Sequence, residues 1–284
     1  MEASTIRPGD GQYPEALARI PQRPDVLRLV GSLGGARRRV AMVGSRLADE
    51  YGVELARSIS AGLARAGVSI VSGGALGIDA AAHEGALEAG GHTVAVLGTG
   101  VDVVYPAQHR GLFGRILEAG GALVSEQPDG TPGLKQNFPR RNRIVSGLSE
   151  AVVVVRAGDG SGALITAAWA RAQGVPVLAV PGDVRDPLSA GTTALLRAGA
   201  RVVATADDVL AVLGLDGPPE RQLPLPELGA EESALLAALA RRPRHADDVA
   251  RVAGLTPGAA LAGLLSLELQ GLCEQRPGHT FLRR

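Results

Sequence analysis

Short runs of β-branched residues alternate with longer stretches rich in Ala and Leu between Arg39 and Leu215. Apolar runs of this kind are typical of strands buried on both faces of a parallel sheet. The pattern predicts strands at Val40–Val43, Val68–Val71, Thr93–Leu97, Ala122–Val124, Ala151–Val155, Val177–Val180 and Arg201–Val203. Residues 39–215 are therefore expected to form an α/β domain, a Rossmann-like sheet wrapped by helices.

The stretches between these strands predict helices. Several of them end at a glycine, the residue that most often follows the last turn of a helix. The predicted helices are Leu47–Ala66, Ile78–Ala89, Gln108–Glu118, Ser161–Gln173 and Thr192–Ala198. In such a domain the loops that follow the parallel strands meet at one edge of the sheet, so we expect a recognition surface there.

Three further segments flank this core. Residues 1–38 predict an amino-terminal strap, too short for a domain, that leads into a strand-like run at Leu29–Gly31. Residues 216–229 hold four prolines among glycines and polar residues, which is typical of a semi-rigid linker. Residues 230–284 predict a small winged-helix domain, with three helices and a hairpin at Glu231–Arg241, Ala246–Ala253, Pro257–Gln270, Leu272–Gln275 and Thr280–Leu282.

The third helix of that domain is mostly Ala and Leu. In a winged helix the corresponding helix often enters the major groove of DNA, where polar side chains are needed to contact the bases. Its composition leaves little polar surface for this, because Ala259, Ala260, Leu261, Leu264 and Leu265 are all apolar. A protein-contact or structural role is therefore at least as compatible with the sequence as duplex binding.

Charge and composition narrow the class of protein. The chain has 284 residues with 29 basic and 29 acidic side chains, a balance that argues against coating nucleic acid with the whole surface but allows a local basic patch. The single cysteine, Cys273, excludes a disulfide framework and a cysteine-rich zinc site. No signal peptide and no apolar run of membrane-spanning length is recognisable. We expect a cytoplasmic protein with no membrane partner.

The most informative segment runs from Gly133 to Ser149 and contains no acidic residue. Its four cations are Lys135, Arg140, Arg141 and Arg143, with Phe138 and the amide of Asn142 among them. Cations neutralise phosphates and an aromatic face can stack a base, so the segment is predicted to be a basic loop that binds single-stranded nucleic acid. A solvated basic loop whose phenylalanine packs into the core is an equally open interpretation of an isolated cluster.

Four glycine-rich or polar turns follow predicted strands, and each has the composition of an anion-binding turn. The first contains Gly44, Ser45 and Arg46, and the second contains Ser72, Gly73 and Gly74. The others are Leu97–Gly100 and Asp159–Ala163. Their glycines can expose successive amides to a phosphate. A tight turn without a ligand explains each of them taken alone, and their convergence with the basic segment strengthens the binding interpretation.

Known catalytic and cofactor patterns are missing. The first turn does not supply G-x-G-x-x-G, and the chain has no G-x-x-x-x-G-K-[ST], so NAD and ATP are poor candidates and we expect no cofactor. His83 and Glu84 point in different directions on a helix and would not act on one centre. No histidine or carboxylate cluster has the spacing of a metal site. We expect no catalytic residue, no metal and no enzymatic activity.

The motifs together closely resemble the DNA-processing protein A (DprA or Smf) family over about residues 14–215. The elements that carry the resemblance are Gly44-Ser-Arg46, Ser72-Gly-Gly-Ala-Leu-Gly-Ile-Asp79, Phe138-Pro-Arg-Arg-Asn-Arg-Ile-Val-Ser-Gly-Leu-Ser149 and Ser161-Gly-Ala-Leu-Ile-Thr-Ala167. The resemblance implies a Rossmann-like protein that binds and protects single-stranded DNA, forms a homodimer through this domain and loads the RecA recombinase during natural transformation and recombination.

Carried over by position, the resemblance implies phosphate contacts for Arg46 and Lys135 and base stacking for Phe138. Further DNA contacts are implied at Gly73, Gly74, Arg141, Asn142 and Arg143, while Ser161 and Thr166 match a polar loop and helix. Thr193 stands where the family usually has asparagine, which weakens any contact inferred there.

Two other classes remain as alternatives. One is a nucleotide phosphoribohydrolase similar to the LOG proteins, which share the Rossmann-like plan and its glycine-rich loops. Their P-G-G-x-G-T-x-x-E pattern corresponds here to Asp159–Thr166, without the glutamate. The other is a purely structural interaction module, in which Arg46 and Lys135 would have no measurable role.

Overall fold

A nine-stranded sheet organises the first part of the chain, because its strands are apolar on both faces. The computed structural model describes residues 3–34, 37–215, 228–240 and 243–283. The sheet strands, in chain order, are β1 Ser4–Ile6, β2 Leu27–Gly31, β3 Arg39–Val43, β4 Ser69–Ser72, β5 Thr93–Leu97, β6 Ala122–Ser125, β7 Ala151–Val154, β8 Val177–Ala179 and β9 Arg201–Val202. Their spatial order is β1-β2-β6-β5-β4-β3-β7-β8-β9.

Seven of these strands, from β3 to β9, run parallel to one another. In the register, Val40 of β3 pairs with Ile70 of β4 on one side and with Ala151 of β7 on the other. The helices that wrap the sheet are α1 Glu15–Ala18, α2 Glu50–Arg65, α3 Ile78–Glu88, α4 Arg110–Glu118, α5 Asn137–Gly147, α6 Gly162–Ala172, α7 Ala190–Arg197 and α8 Ala206–Leu213. The predicted Rossmann-like α/β architecture is confirmed.

Alternate residues of the central strands bury their side chains in two separate cores. Ala41 and Val43 belong to the core on the side of α5 and α6, whereas Val40 and Met42 belong to the core on the side of α2, α3 and α8. Both faces of β3 are thus covered, which explains why its sequence is apolar without alternation.

The amino-terminal segment, predicted as a strap, instead extends the sheet. β2 pairs with β6 and β1 pairs with β2, both antiparallel, so these two strands form one edge. Its short helix α1 buries Leu17. The sequence prediction recognised only the run at Leu29–Gly31, because two short edge strands with one buried face have no continuous apolar signal.

The basic segment was predicted as a loop, and this is wrong for most of its length. Residues Asn137–Gly147 form the helix α5, and only the stretch before it is irregular. The helix begins with Pro139 in its first turn, where a missing N–H costs nothing. Its apolar residues Ile144 and Val145 are buried against the sheet, so packing stabilises this helix although its polar composition did not predict one.

The chain divides into two compact units, Met1–Pro219 and Glu220–Arg284. The second unit contains α9 Ala230–Ala238, β10 Arg244–His245, α10 Ala246–Ala253, α11 Pro257–Leu269, β11 Cys273–Arg276 and β12 Thr280–Arg283. Its strands form an antiparallel sheet in the order β10-β12-β11, and Phe281 and Leu264 are fully buried in its core. Three helices with a small sheet confirm the predicted winged helix.

Part of the predicted linker, residues 216–227, lies outside the described residues. Within the described ranges, no single helix has the length and hydropathy needed to cross a membrane. One helix pair, α10 with α11, meets those two criteria jointly across a bend of 104°.

Candidate nucleic-acid interface

A cleft of about 720 Å³ opens at the carboxyl ends of the central strands. From β3 the chain order runs through β4 to β6 in one direction, and from β7 through β9 in the other, so β3 and β7 mark the topological switch point of the sheet. Parallel α/β sheets bind ligands at this point because the flanking loops separate there. The walls of the cleft are the turn after β3, the first half of α5 and the turn between β7 and α6.

Phe138 lies in the wall of this cleft between a cation and a second aromatic ring. The guanidinium carbon of Arg46 is 5.4 Å from the centroid of the Phe138 ring. The ring of Tyr105 is 5.3 Å away on centroids, with the planes tilted by 34°. A Cβ at Gly98 would come within 2.8 Å of Phe138 Cδ1, so this glycine leaves room for the ring. Phe138 is half-buried and Tyr105 is 44% exposed, so an aromatic surface faces the solvent.

Arg46 and Lys135 supply exposed positive charge to the cleft. Both line it, and neither forms a salt bridge with any of the described residues. Arg46 follows β3 directly, and Lys135 precedes α5. The structure therefore brings together the two residues for which the sequence predicted phosphate contacts, beside the predicted stacking residue.

Arg141 also lines the cleft, but it is 7% exposed and already bonded to the protein. Its Nη1 donates to the carbonyl of Val96 at 2.6 Å, and its charge faces the buried carboxylate of Asp79. Burial lowers the pKa of the Arg141 guanidinium to about 10, against the attraction of Asp79, so the group stays protonated at neutral pH. Burial also raises the pKa of Asp79, and Arg141 opposes that rise.

The other two cations of α5 lie away from the cleft. Arg143 is 2% exposed, donates from Nε to the carbonyl of Gln22 at 2.7 Å, and pairs with Glu126. Arg140 is exposed, but its Nε is 3.3 Å from a carboxylate oxygen of the same Glu126. The sequence placed both in a DNA-binding loop. The structure places both side chains outside the cleft, because residues one or two positions apart on a helix point in different directions, and Arg143 holds α5 against the amino-terminal segment.

The turn after β4 uses two of its backbone amides within the protein. The N–H groups of Gly73 and Ala75 donate to Asp79 Oδ2 at 3.0 and 3.3 Å, so an internal carboxylate occupies the position expected for a phosphate. Ser72 is fully buried and its hydroxyl donates to the carbonyl of Met42. Gly74 has a φ of +66°, which only glycine adopts easily, and it lies beside the cleft. The bonds to Asp79 thus hold the Gly73 and Ala75 part of this turn in place.

The turn after β3 also uses some of its polar groups in hydrogen bonds within the protein. The Ser45 N–H donates to the carbonyl of Arg156 at 2.7 Å, and its hydroxyl accepts from the N–H of Leu47 at 3.1 Å. Gly44 packs against Ile78 at the start of α3 so closely that a Cβ would lie 2.8 Å from the Ile78 Cβ. Gly44 and Ser45 therefore fix the direction of Arg46.

Asn142 connects the two walls of the cleft. Its side-chain amide donates to the carbonyl of Gly162 at 3.1 Å, which ties α5 to the first turn of α6. Ser161 caps α6 by accepting from the N–H of Ala163. Thr166, one turn further, is 2% exposed and lines the cleft. The sequence resemblance gave Ser161 and Thr166 no ligand role.

Comparison with known proteins identifies the family. A family model described as DNA recombination-mediator protein A matches residues 4–214, and a DprA winged-helix model matches residues 218–279. The chain belongs to the DNA recombination-mediator protein A, or DprA, family. The resemblance stated from the sequence motifs is confirmed, and the second unit matches the winged helix of the same family.

Among curated relatives of the DprA family, a putative DNA processing protein from Mycobacterium tuberculosis is 44% identical over 249 residues, which is 86% of this chain and 64% of that protein. Protein Smf from Escherichia coli is 40% identical over 98% of this chain and 77% of its own length. The chain thus spans somewhat less than two thirds of the mycobacterial relative.

Two solved DprA structures share the fold of the sheet unit. The protein from Streptococcus pneumoniae superposes with a TM-score of 0.69 at 40% identity, covering 73% of each chain. The protein from Helicobacter pylori superposes with a TM-score of 0.67 at 29% identity, covering 75% of this chain and 95% of that one, and its structure was described for its single-stranded DNA binding mode.

The chemistry available in the cleft is that of binding. Its only carboxylates among the described residues are Asp79, which is buried against Arg141, and the exposed Asp159. Nowhere in the part of the chain that the structure describes do three His, Cys, Asp or Glu side chains come together as a metal site would require. What the cleft does present is an aromatic face, three cations and a helix amino terminus.

Proposed function

We propose that this protein binds single-stranded DNA in the cleft between α5 and α6 without cleaving it. The observation that carries the proposal is the ring of Phe138, held between Arg46 and Tyr105 at the rim of a cleft that Lys135 also lines. Bases of any identity can stack on such a ring, and the adjacent cations neutralise the phosphates. The single-stranded DNA binding mode described for the Helicobacter pylori relative supports the same ligand for this fold.

A single strand fits this arrangement better than a duplex. Phe138 is reached from the side of the cleft, and a base must leave its stack in order to contact the ring. A volume of about 720 Å³ is also in the range of pockets for small ligands, so it admits separate nucleotides rather than a paired helix. With three cations at the cleft, the logarithm of the affinity should fall with the logarithm of salt concentration at a slope of about −2.

The protein then acts as a mediator, in the cytoplasm, that protects incoming single-stranded DNA and loads RecA onto it in natural transformation and recombination. Family membership supports this role and a homodimer formed through the Rossmann-like unit. Its test is the rate at which RecA forms filaments on strands already covered by a single-strand binding protein. We expect that rate to rise with this protein present and to return to the background rate with a Phe138→Leu variant.

The binding proposal is tested by fluorescence anisotropy of a labelled dT oligonucleotide, with unlabelled duplex as competitor, at several salt concentrations. Phe138→Leu should weaken binding by about 1–3 kcal/mol because stacking is lost. Lys135→Gln should weaken it and make the salt slope shallower by about 0.7. Arg140→Gln is the matched control, since Arg140 is on the same helix, exposed and outside the cleft, and it should bind as the wild type does.

Equal affinity for duplex and single strand, or wild-type binding by Phe138→Leu, would refute the proposal. Release of a free base from a nucleoside monophosphate would instead favour the phosphoribohydrolase alternative. The missing glutamate in Asp159–Thr166 speaks against that alternative.

A further inference from the structure

The turn between β7 and α6 lines the cleft directly ahead of a helix, and two of its amides are free. In α6, the N–H of Ala163 is taken by the Ser161 hydroxyl and that of Leu164 by the Ser161 carbonyl. The N–H groups of Gly160 and Gly162 donate to no atom of the described residues. A Cβ added at either glycine would meet nothing within 4 Å, so both amides border open space in the cleft.

Thr166 provides a second and independent sign of a ligand. Its side chain is 98% buried yet lines the cleft, and its hydroxyl has no hydrogen-bond partner among the described residues. A threonine inside a helix commonly donates to the carbonyl four residues earlier, here Gly162. In this protein the Gly162 carbonyl accepts from the Asn142 amide, and no bond from Thr166 is present. The Thr166 hydroxyl instead borders the cleft without a protein partner, and a ligand oxygen in the cleft would bond to it.

The other turns at this edge of the sheet are less able to hold an anion. After β4, the amides of Gly73 and Ala75 donate to Asp79. After β3, the amide and the hydroxyl of Ser45 are bonded within the protein. The amino terminus of an eleven-residue helix also carries a partial positive charge that favours phosphate. Only the α6 turn, of these three, combines free amides, a helix terminus and an unpartnered hydroxyl.

We infer that the amino-terminal end of α6, with Thr166, binds a phosphate group of the nucleotide whose base stacks on Phe138. The inference rests on the proposed function, and of the four turns that the sequence offered it selects the one after β7. Asn142 then serves as a positioning residue, because its bond to Gly162 joins α5 to the first turn of α6.

The negative charge of Asp159 should repel a phosphate bound at this turn. Its side chain is exposed on the same turn and lines the cleft, with no salt bridge among the described residues. Arg141, on the opposite wall, contributes a buried positive charge. The site therefore makes two predictions of opposite sign, since removal of the Thr166 hydroxyl should weaken phosphate binding and removal of the Asp159 charge should strengthen it.

The first experiment follows the amide resonances of Gly160 and Gly162 by NMR during titration with thymidine 5′-monophosphate, thymidine and inorganic phosphate. Shifts with the monophosphate and with inorganic phosphate, but not with thymidine, are expected. Equal responses to the nucleotide and the nucleoside, or no response to either phosphate compound, would overturn the inference. This readout does not require binding of an oligonucleotide, so the inference and the proposed function fail separately.

The second experiment measures the affinity of variants for dT oligonucleotides with and without a 5′-phosphate. Thr166→Val should lose about tenfold, Thr166→Ser should restore binding, and Asp159→Asn should gain about threefold. Thr192→Val is the matched control, since Thr192 is equally buried at the start of a helix but bonds to the Ser189 carbonyl away from the cleft. Wild-type affinity of Thr166→Val for both oligonucleotides would refute the site.

The two oligonucleotides identify the source of the phosphate. A Thr166→Val loss that is the same with and without the terminal phosphate assigns the site to an internal phosphodiester. A loss confined to the 5′-phosphorylated strand assigns it to a strand end.

Discussion

Arg141 and Asp79 place opposite buried charges beneath the site, and each holds a separate part of its backbone. Arg141 bonds to the Val96 carbonyl on β5, and Asp79 accepts the amides of the turn after β4. A Cβ on Gly73 would overlap the Arg141 guanidinium, so glycine is required where helix and turn approach each other. The pair thus sets the position of α5, and with it the position of Phe138.

Replacing Arg141 with methionine should destabilise the fold, because the Asp79 carboxylate would remain buried without its cation. Leaving a buried charge uncompensated typically costs about 3–5 kcal/mol. Urea unfolding followed by the fluorescence of Trp169, the only tryptophan and a residue of α6, measures this for the sheet unit. Adding Asp79→Asn should recover part of the loss.

Arg140→Met is the matched control for that experiment, since the neighbouring side chain is exposed. It should change the free energy of unfolding by less than about 1 kcal/mol, as surface ion pairs contribute little. Similar losses in the two variants would show that the buried pair has no special role.

Tyr105 should support the stacking surface, although the sequence did not single it out as a site residue. Its ring packs on Phe138, and aromatic pairs contribute about 0.5–1.5 kcal/mol beyond the area they bury. Tyr105→Leu is therefore expected to weaken binding of a dT oligonucleotide by about threefold to tenfold. Tyr105→Phe should bind normally, because the hydroxyl donates to none of the described residues. A loss in the phenylalanine variant would instead assign a ligand contact to that hydroxyl.

Helix packing on the opposite face of the sheet depends on a close approach at Gly85. A Cβ there would overlap the backbone carbonyl of Arg57, so α2 and α3 touch through this glycine. Gly85→Ala should therefore lower the free energy of unfolding by about 1–3 kcal/mol, the usual cost of overpacking. Gly114→Ala in α4 should instead raise it by about 0.5–1 kcal/mol, since a Cβ there meets nothing within 4 Å and alanine favours the helix. The same sign in both variants would contradict this.

Elements with strong apolar patterns were predictable from the sequence, and the others were not. Strands such as β5 and β7 match their predicted positions within one residue, because burial on both faces makes them uniformly apolar. Helix α5 was missed because its first half is built mainly from Asn and Arg with an early proline, and its contact with the sheet stabilises the helix. Strand β1 was missed because an edge strand needs little apolar sequence, whereas part of β2 was recognised as the run at Leu29–Gly31.

The candidate site shows the same division among its residues. Arg46, Lys135 and Phe138 lie together at the cleft, as their motifs predicted. Arg143 lies elsewhere, because its Glu126 partner is distant in sequence and no local pattern predicts that pairing. The bond from Asn142 to the Gly162 carbonyl likewise joins residues twenty positions apart, and no local pattern predicts it. Motifs locate a site, whereas the hydrogen-bond partners of each side chain decide which of its residues can reach a ligand.

The stability of the whole sheet unit should depend on pH through a histidine that the fold keeps neutral. His83 on α3 is fully buried, its Nδ1 lies 2.7 Å from the Thr93 hydroxyl, and its Nε2 has no partner among the described residues. Burial, with smaller effects of His109 and Arg141, lowers the pKa of His83 to about 3. The unfolded chain takes up this proton near pH 6.5.

Between about pH 6.5 and pH 3 the unfolded state therefore binds one more proton at His83 than the folded state does, and stability must fall as pH falls. The slope from this group approaches about 1.4 kcal/mol per pH unit. Burial of His92 lowers its pKa as well and acts in the same direction. His83→Gln should reduce the slope of unfolding free energy against pH between 5 and 6 by up to that amount, measured by Trp169 fluorescence in urea. His245→Gln, in the winged-helix unit, is the control and should leave the slope unchanged. An unchanged slope in His83→Gln as well would mean that His83 takes up its proton in the folded protein too.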